Sequence, residues 1–296
     1  MTGTINATRC PLCGPEAACD PALGGVLRRC RSCGLRWTAG AAPDPATLYD
    51  EDYFAGGGNA DYFHPRPRRF EAGRRVRWLR SLSRRGRIAA PESLLEAGSA
   101  GGFFVEAARS AGIRATGVEV SAAAVRYAEA QLRVPVRHGT FESVAPALPP
   151  VDAVCAFHVL EHVEDPLRFL AAAGAVLRPG GWLALEVPNI ASAAAQRLGL
   201  DWPALQPRYH RWHFTPETLT ALLAGCGFRV VHRDTAVFRY YMPVPYRLRH
   251  LHRLLPADLR DLRSARLTHP RRGDLLRIVA QRAGRRRTDT NPGGNR

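Results

Sequence analysis

The chain has 296 residues, 46% of them apolar, with 42 basic and 26 acidic side chains and a formal net charge of +16. No lysine occurs, so every basic residue is an arginine, and phosphate-loop NTPase, pyridoxal Schiff-base and kinase-type lysine chemistry are excluded. The apolar fraction is that of a folded protein, and the length suits one large domain or a domain with a small module.

The charge is unevenly placed. Residues 66–87 hold ten arginines against Glu71, residues 239–296 hold fifteen against Asp258, Asp261, Asp274 and Asp289, and the remainder is net −4. A nucleic-acid binder spreads its arginines along a face, so a mildly acidic middle with two cationic flanks disfavours that partner. No run of 18 apolar residues occurs, and MTGTINATRC has no apolar leader core. The expectation is a cytoplasmic protein whose seven cysteines meet a reducing environment, where metal binding outranks disulfides.

The first element is a pair of knuckles, Cys10-Pro-Leu-Cys13 and Cys30-Arg-Ser-Cys33, each followed by a glycine that permits a tight turn. Four thiolates at this spacing suit a tetrahedral Zn²⁺, so residues 1–40 read as a zinc ribbon with a structural ion. A module this small needs the metal's binding energy to fold. Cys19, Cys155 and Cys226 fall outside the pattern and read as small buried residues. Residues 41–67 form a linker or lid, rich in aromatics around Gly56, Gly57 and Gly58.

From residue 68 the chain alternates helices and strands through 283. Ala72, Val76, Leu79 and Leu82 place one apolar stripe on an arginine-coated helix over 68–85, whose other faces read as solvated. A strand at 93–97 runs into Gly98-Ser99-Ala100-Gly101-Gly102 and then a helix over 103–111. Small residues at such a turn let a ligand reach the backbone and the free N–H groups of the helix start. A second strand over 115–120 carries Glu119 near its end, placed to accept ribose hydroxyls. The turn lacks the middle glycine of a dinucleotide fingerprint. Glu96 ahead of it suits a ligand with an ammonium group and would repel a pyrophosphate, which favours S-adenosylmethionine over NAD. Strands follow over 134–138, 151–156, 182–187, 228–232 and 275–280. A helix spans 165–177, 178–181 form a turn, and Thr215 caps a helix that begins at Pro216.

These motifs together resemble the class I S-adenosylmethionine-dependent methyltransferases, specifically the bacterial branch with an N-terminal zinc ribbon. The resemblance covers residues 8–282 and is carried by LLEAGSAGGFF, GVEVS (117–121), FHVLEHVEDP (157–166), LRPGG (177–181), EVPN (186–189) and HFTPETL (213–219). It implies an α/β, Rossmann-like seven-stranded sheet with an antiparallel last strand and helices on both faces. It also implies that Glu96, Gly98, Ala100 and Gly102 hold the methionine portion of the cofactor. Glu119 and Val120 would bind the ribose side, Thr140 and Phe141 would flank adenine, and Phe157 and His158 would line the methyl-transfer edge. Ala100 stands where the family's middle glycine is usual, and Glu96 where aspartate is commoner.

His158-x-x-Glu161-His162 lies at the carboxyl end of the fourth strand, and residues 208–213 add His210 and His213. Three roles stay open. Glu161 and His162 cap a helix and bond the lid; or a histidine removes a proton from a hydroxyl substrate; or Glu161, His162 and His210 or His213 hold a divalent metal. The last is similar to the E-x-x-E-H of ubiquinone-pathway and small-RNA O-methyltransferases, with His158 in place of the first glutamate.

The insertion over 239–273 carries Leu248, Leu251, Leu255, Leu259 and Leu262 at helical spacing among arginines. It reads as a helix packed on its own domain, with a peripheral membrane contact as the second reading. Residues 284–296 read as a disordered basic tail. The expected activity is methylation of a small-molecule acceptor, foremost a hydroxyl of a natural product, sugar or glycan precursor. The rival readings are an RNA methyltransferase and a scaffold with a degenerate cofactor site.

Overall fold

The structure is a computed structural model and describes residues 10–40, 63–237, 268–269 and 273–283. The aromatic segment around 48–58, most of the 239–273 insertion and the 284–296 tail lie outside the described residues.

Strands β4 (Ser93–Ala97), β7 (Val151–Phe157) and β8 (Leu177–Pro188) are near-continuous apolar runs. A strand apolar on both faces needs cover on both faces, which is the situation of a parallel sheet under two helical layers. β4 pairs in parallel with β5 (Arg114–Glu119) and β7, β5 with β6 (Val136–His138), and β7 with β8. β12 (Leu275–Arg282) inserts antiparallel between β8 and β10 (Phe228–Ala236). The order is β11-β10-β12-β8-β7-β4-β5-β6, the seven expected strands plus the two-residue β11 (Thr268–His269) on the edge of β10.

The sheet separates two cores. One packs α1 (Pro65–Arg84), α2 (Phe103–Ser110) and α3 (Ala122–Tyr127); the other packs α4 (Phe141–Val144), α5 (Pro166–Val176) and α7 (Pro216–Gly225), with α6 (Ala193–Leu198) lying beside a smaller third cluster. The helix starts follow the expected chemistry. Asp165 accepts the Leu167 and Arg168 N–H groups with Pro166 at the first position, and Thr215 forms a capping box with Thr218 ahead of Pro216.

Two expectations are corrected. β8 begins at Leu177, five residues early, because Leu177 already pairs with Val151; Arg178-Pro179-Gly180-Gly181 then loops out and the ladder resumes at Trp182 opposite Ala153. The arginine coat of α1 is not wholly solvated, because Arg75 falls inside the stripe of Ala72, Val76 and Leu79 and is buried.

The chain runs β4-α2-β5-α3-β6 to one side and returns to β7 on the other side of β4. The carboxyl ends of β4 and β7 thus flank the point where strand order reverses, the place where open α/β sheets bind ligands.

The ribbon is built from β1 (Cys19–Ala22), β2 (Leu27–Cys30) and β3 (Arg36–Thr38). Its sheet is completed by β9 (Trp212–His213), which reaches back from the segment after β8; Arg36 pairs with His213 and Trp37 with Trp212. Cys10, Cys30, Leu35 and Trp37 share one buried core with Leu160, Trp212 and Phe214.

At the opposite end of the sheet Asp152 ties β7 to β4. Its Oδ2 accepts the N–H groups of Glu92 and Ser93 and the Ser93 hydroxyl, and Oδ1 accepts from Arg178. Burial raises this carboxyl, but the Ser93 hydroxyl, Arg178 and the two N–H donors outweigh it and hold it below the usual range. A depressed native pKa stabilises the fold above the unfolded-state value and is lost as pH falls through the native one. Asp152→Asn is therefore expected to lower the melting temperature at pH 7, with the gap to the parent protein closing below about pH 4, as read by scanning calorimetry across pH.

Candidate active site

The turn after β4 is shaped for close backbone approach. Gly98 and Gly102 have φ of +62° and +81°, and a Cβ at Gly98 would lie 2.5 Å from Val159. Ala100 also sits at positive φ, +45°. A side chain in that region costs about 1–2 kcal/mol, which is why glycine is usual there. Glu119 braces the turn from β5: one oxygen accepts the Ala100 N–H at 2.8 Å and the other the Ser121 N–H at 2.8 Å. A carboxylate has about four lone-pair sites, so roughly two remain for hydroxyl donors. Phe63 stacks on Tyr127 at 4.4 Å and lies against Gly101, covering the turn from the chain ahead of α1.

Glu96 Oε2 and Ser99 Oγ are buried without hydrogen-bond partners. Burial pushes the Glu96 carboxyl well above its ordinary range; Arg75 opposes this, while Glu119 and Glu71 add to it. An arriving ammonium would restore the carboxylate. These orphaned atoms beside a left-handed glycine turn fit the methionine end and ribose of S-adenosylmethionine.

At the end of β7, His158 adopts φ +58°, with its N–H bonded to the Glu186 carbonyl at 2.8 Å. Its Nδ1 is 3.2 Å from Glu161 Oε1 and its Nε2 3.6 Å from Glu186 Oε1. Burial lowers its pKa, but the Glu161 hydrogen bond and the two carboxylate charges prevail and raise it. The other three imidazoles go the opposite way. Burial lowers His162 against the pull of Glu161, takes His210 to about 3 with help from His162, and takes His213 to about 4 against the pull of Glu161. The carboxylates thus draw His158 towards its cationic form, while burial holds the other three as neutral imidazoles at pH 7.

The neutral ones are held by oxygen atoms. His162 Nδ1 meets the Tyr209 carbonyl at 2.9 Å and His210 Nδ1 the Ala204 carbonyl at 3.0 Å. Each Nδ1–H donates, so each lone pair falls on Nε2. A carbonyl that fixes the tautomer in this way is the usual outer support of a metal-binding histidine. One ligand atom each from Glu161, His162 and His210 lies within 4.8 Å of the others, and Glu161 Oε2 is buried without a partner. His213 is not in this group. Its Nε2 is 3.0 Å from Thr38 Oγ1, whose own hydrogen goes to the His210 carbonyl at 2.6 Å.

Behind His158 a buried ion network reaches α1. Arg75 donates twice to Glu186 Oε1, at 2.7 and 3.1 Å, bridges to Glu71 at 2.7 Å and lies over the Phe157 ring at 4.4 Å. Sequence reasoning missed Arg75 and did not give Glu186 a role of its own. The available signal was a charged residue at stripe position 75, hidden among arginines at 74 and 77. Thr38 and Arg36 were missed as well.

The remaining candidates are placed as follows. Val120 is half-buried after β5. Thr140 caps α4, and the Phe141 ring is buried 5.1 Å from that of Phe169. Phe157 lies under Arg75 and against Phe104. Cys10, Cys13, Cys30 and Cys33 bring four sulfurs within 4.8 Å. Tetrahedral Zn–S bonds of ~2.3 Å give sulfur separations of ~3.8 Å, so the set fits one zinc ion. Burial raises the Cys30 thiol, but the N–H groups of Cys33 and Ser32 bring it down to about 7.

The turn geometry separates two substitutions. Ala100→Gly relieves φ strain but adds unfolded-state freedom, so stability should change by less than about 1 kcal/mol. At Gly102 a Cβ would lie 2.7 Å from Val134 Cγ2 at left-handed φ, so Gly102→Ala should cost about 2 kcal/mol or more in urea unfolding.

Comparison with known proteins agrees with this geometry. A family model described as "Methyltransferase domain" matches residues 70–233. A "Probable S-adenosylmethionine-dependent methyltransferase" of Mycolicibacterium smegmatis is 32% identical over 48% of this chain and 53% of its own length. A ubiquinone biosynthesis O-methyltransferase of Dinoroseobacter shibae is 30% identical over 49% of this chain and 63% of its own. The chain thus spans less than two thirds of the length of these relatives. Among solved structures, the plantazolicin methyltransferase BamL in complex with S-adenosylhomocysteine aligns with a TM-score of 0.54 at 16% identity, over 79% of this chain and 94% of its own, a likeness of fold. With the match covering more than half of its residues, the chain belongs to the methyltransferase domain family and has the class I S-adenosylmethionine-dependent fold.

Proposed function

We propose that the protein transfers the methyl group of S-adenosylmethionine to a hydroxyl of a small-molecule acceptor, a natural product, sugar or glycan precursor. Glu161, His162 and His210 would hold a divalent cation that orients the acceptor oxygen, and the four ribbon cysteines a structural zinc. The observation that carries this reading is the convergence of Glu161 with two carbonyl-anchored imidazoles at the carboxyl end of β7, beside the glycine turn. The O-methyltransferase named among the relatives supports an oxygen acceptor.

When bound, S-adenosylmethionine supplies a methyl group already activated as a sulfonium, so the chain's task is alignment and removal of one proton. Glu96 and the backbone of Gly98, Ala100 and Gly102 hold the methionine portion, and Glu119 accepts from the ribose hydroxyls. Val120, Thr140 and Phe141 border the adenine, and Phe157 and His158 form the transfer edge. Arg75 holds Glu186, whose carboxylate lies 3.6 Å from His158 Nε2 and whose carbonyl accepts the His158 N–H. With the Nε2 lone pairs of His162 and His210 given to the cation and His213 Nε2 donating to Thr38, the remaining ring nitrogen of His213, Nδ1, would be the imidazole atom left to accept the hydroxyl proton as the oxygen–methyl bond forms and the sulfur–methyl bond breaks. Within the basic helix, Arg75 is engaged by Glu186 and Arg69 by Glu106.

Calorimetry with S-adenosylhomocysteine and a labelled-methyl screen of hydroxylated acceptors test the reading. Glu119→Gln should weaken nucleoside binding by about tenfold or more. His162→Ala should cut turnover by about a hundredfold or more while leaving that affinity unchanged. Manganese titration followed by electron paramagnetic resonance should find one cation site that His210→Ala removes. Absence of S-adenosylhomocysteine binding at millimolar concentration would sink the enzymatic reading in favour of a scaffold.

A further inference from the structure

The face of the ribbon sheet turned towards the segment after β8 carries an electrostatic anomaly. In antiparallel pairing, directly opposite residues share a face. The register places Asp20, Arg29, Arg36 and His213 in one row across the four strands. Like charges directly opposite each other destabilise a sheet, yet Arg29 faces Arg36. The row's acid, Asp20, is engaged by Arg31 at 2.6 Å. Among the described residues no carboxylate pairs with Arg36, and its Nε is buried without a hydrogen-bond partner. Burial lowers its pKa, with a further push from Arg29. A guanidinium nevertheless stays charged in a protein. A half-buried cation without a counter-charge carries a desolvation cost that an anion would repay.

That side chain does not face bulk protein. It lines a cavity of about 160 Å³ whose other walls include Leu23, Ile190, Ala195, Trp202 and Leu205. An apolar cavity of about 150 Å³ accommodates a benzene ring. Ile190 lies two residues beyond β8 and bonds its N–H to the Phe214 carbonyl, so the cavity lies at the ligand-binding end of the sheet. Arg36 is near enough to His213 for its charge to depress that imidazole, which puts the cationic wall of the cavity next to the histidine cluster.

We propose that this cavity is an acceptor subsite for a small apolar or aromatic body bearing an anionic group, with Arg36 of the ribbon as the residue that selects the anion. The subsite rests on the methyl-transfer reading above and deepens it. It makes the acceptor a small carboxylate or phosphate ester, and it gives the ribbon a part in substrate selection. A guanidinium suits both oxyanions through paired N–H donors.

Titration calorimetry with benzoate, phenyl phosphate and the neutral benzamide, on the full-length zinc-loaded protein, tests it. Charge-assisted bonds predict that one of the anions binds about tenfold or more tightly than benzamide. The stronger of the two identifies the anion class. Arg36→Gln should erase the preference and leave S-adenosylhomocysteine affinity unchanged. Ala195→Leu, which fills the cavity from the opposite wall and keeps Arg36, should abolish binding of all three, and it serves if Arg36→Gln does not fold. Equal affinity for benzoate and benzamide, an anion preference that survives Arg36→Gln, or no anion binding at tens of millimolar would overturn the subsite. The anion titration does not require the nucleoside. Loss of S-adenosylhomocysteine binding alone would therefore fall on the methyl-transfer reading and not on Arg36.

Discussion

Arg36 and Trp37 of the ribbon pair with His213 and Trp212, and this two-residue ladder fastens the four-cysteine module to the methyltransferase domain. Two interactions lock it. The Thr38 N–H donates to the Arg211 carbonyl at 2.9 Å, and the Thr38 hydroxyl bridges the His210 carbonyl and the His213 ring. On one face Trp37 and Trp212 join the main core; on the other Leu27 meets Ile190, Trp202 and Leu205. A ribbon of about 30 residues cannot bury a core of its own. Here its core is that of the larger domain, and its cysteine cluster lies in the same sheet as the strand that carries His213.

The second constraint is the charge line Glu71–Arg75–Glu186–His158–Glu161. Burying a charge is costly unless every member is paired, and breaking such a pair leaves a charge behind at a cost of about 3–5 kcal/mol. The line runs from α1, ahead of β4, through the end of β8, to the end of β7. It therefore orients three separate pieces of chain around one imidazole. It also explains how one histidine of the site is shifted towards its cationic form while three are shifted towards neutrality. His158 lies between two carboxylates, whereas His162, His210 and His213 are desolvated with only one carboxylate, Glu161, drawing on them.

Much of this was legible in the residues. Cysteine spacing announced the ribbon, and Asp165-Pro166 and Thr215-Pro216 announced helix starts, because capping is a local matter between adjacent residues. The glycine turn and Glu119 were legible because strand, turn and acid lie within one stretch of 27 residues, 93–119. The β3–β9 pairing was not, because a two-residue strand has no periodicity and its partner lies some 175 positions away. Arg75 was hidden by composition: in a helix crowded with arginine, one more at a stripe position does not stand out. The choice of His210 over His213 beside Glu161 depended on which oxygen each ring meets, the Ala204 carbonyl or the Thr38 hydroxyl, which spacing along the chain does not encode.

Through the β3–β9 ladder the ribbon and the histidine segment form one cooperative unit. Hydrogen exchange read by mass spectrometry on Cys30→Ser, which removes one ribbon ligand without touching the histidine cluster, tests it most directly. Elements that open together lose protection together. The account predicts that residues 209–214 lose protection along with residues 27–38, while β4 and β5 keep theirs. Protection at 209–214 that persists while the ribbon exchanges freely would contradict it.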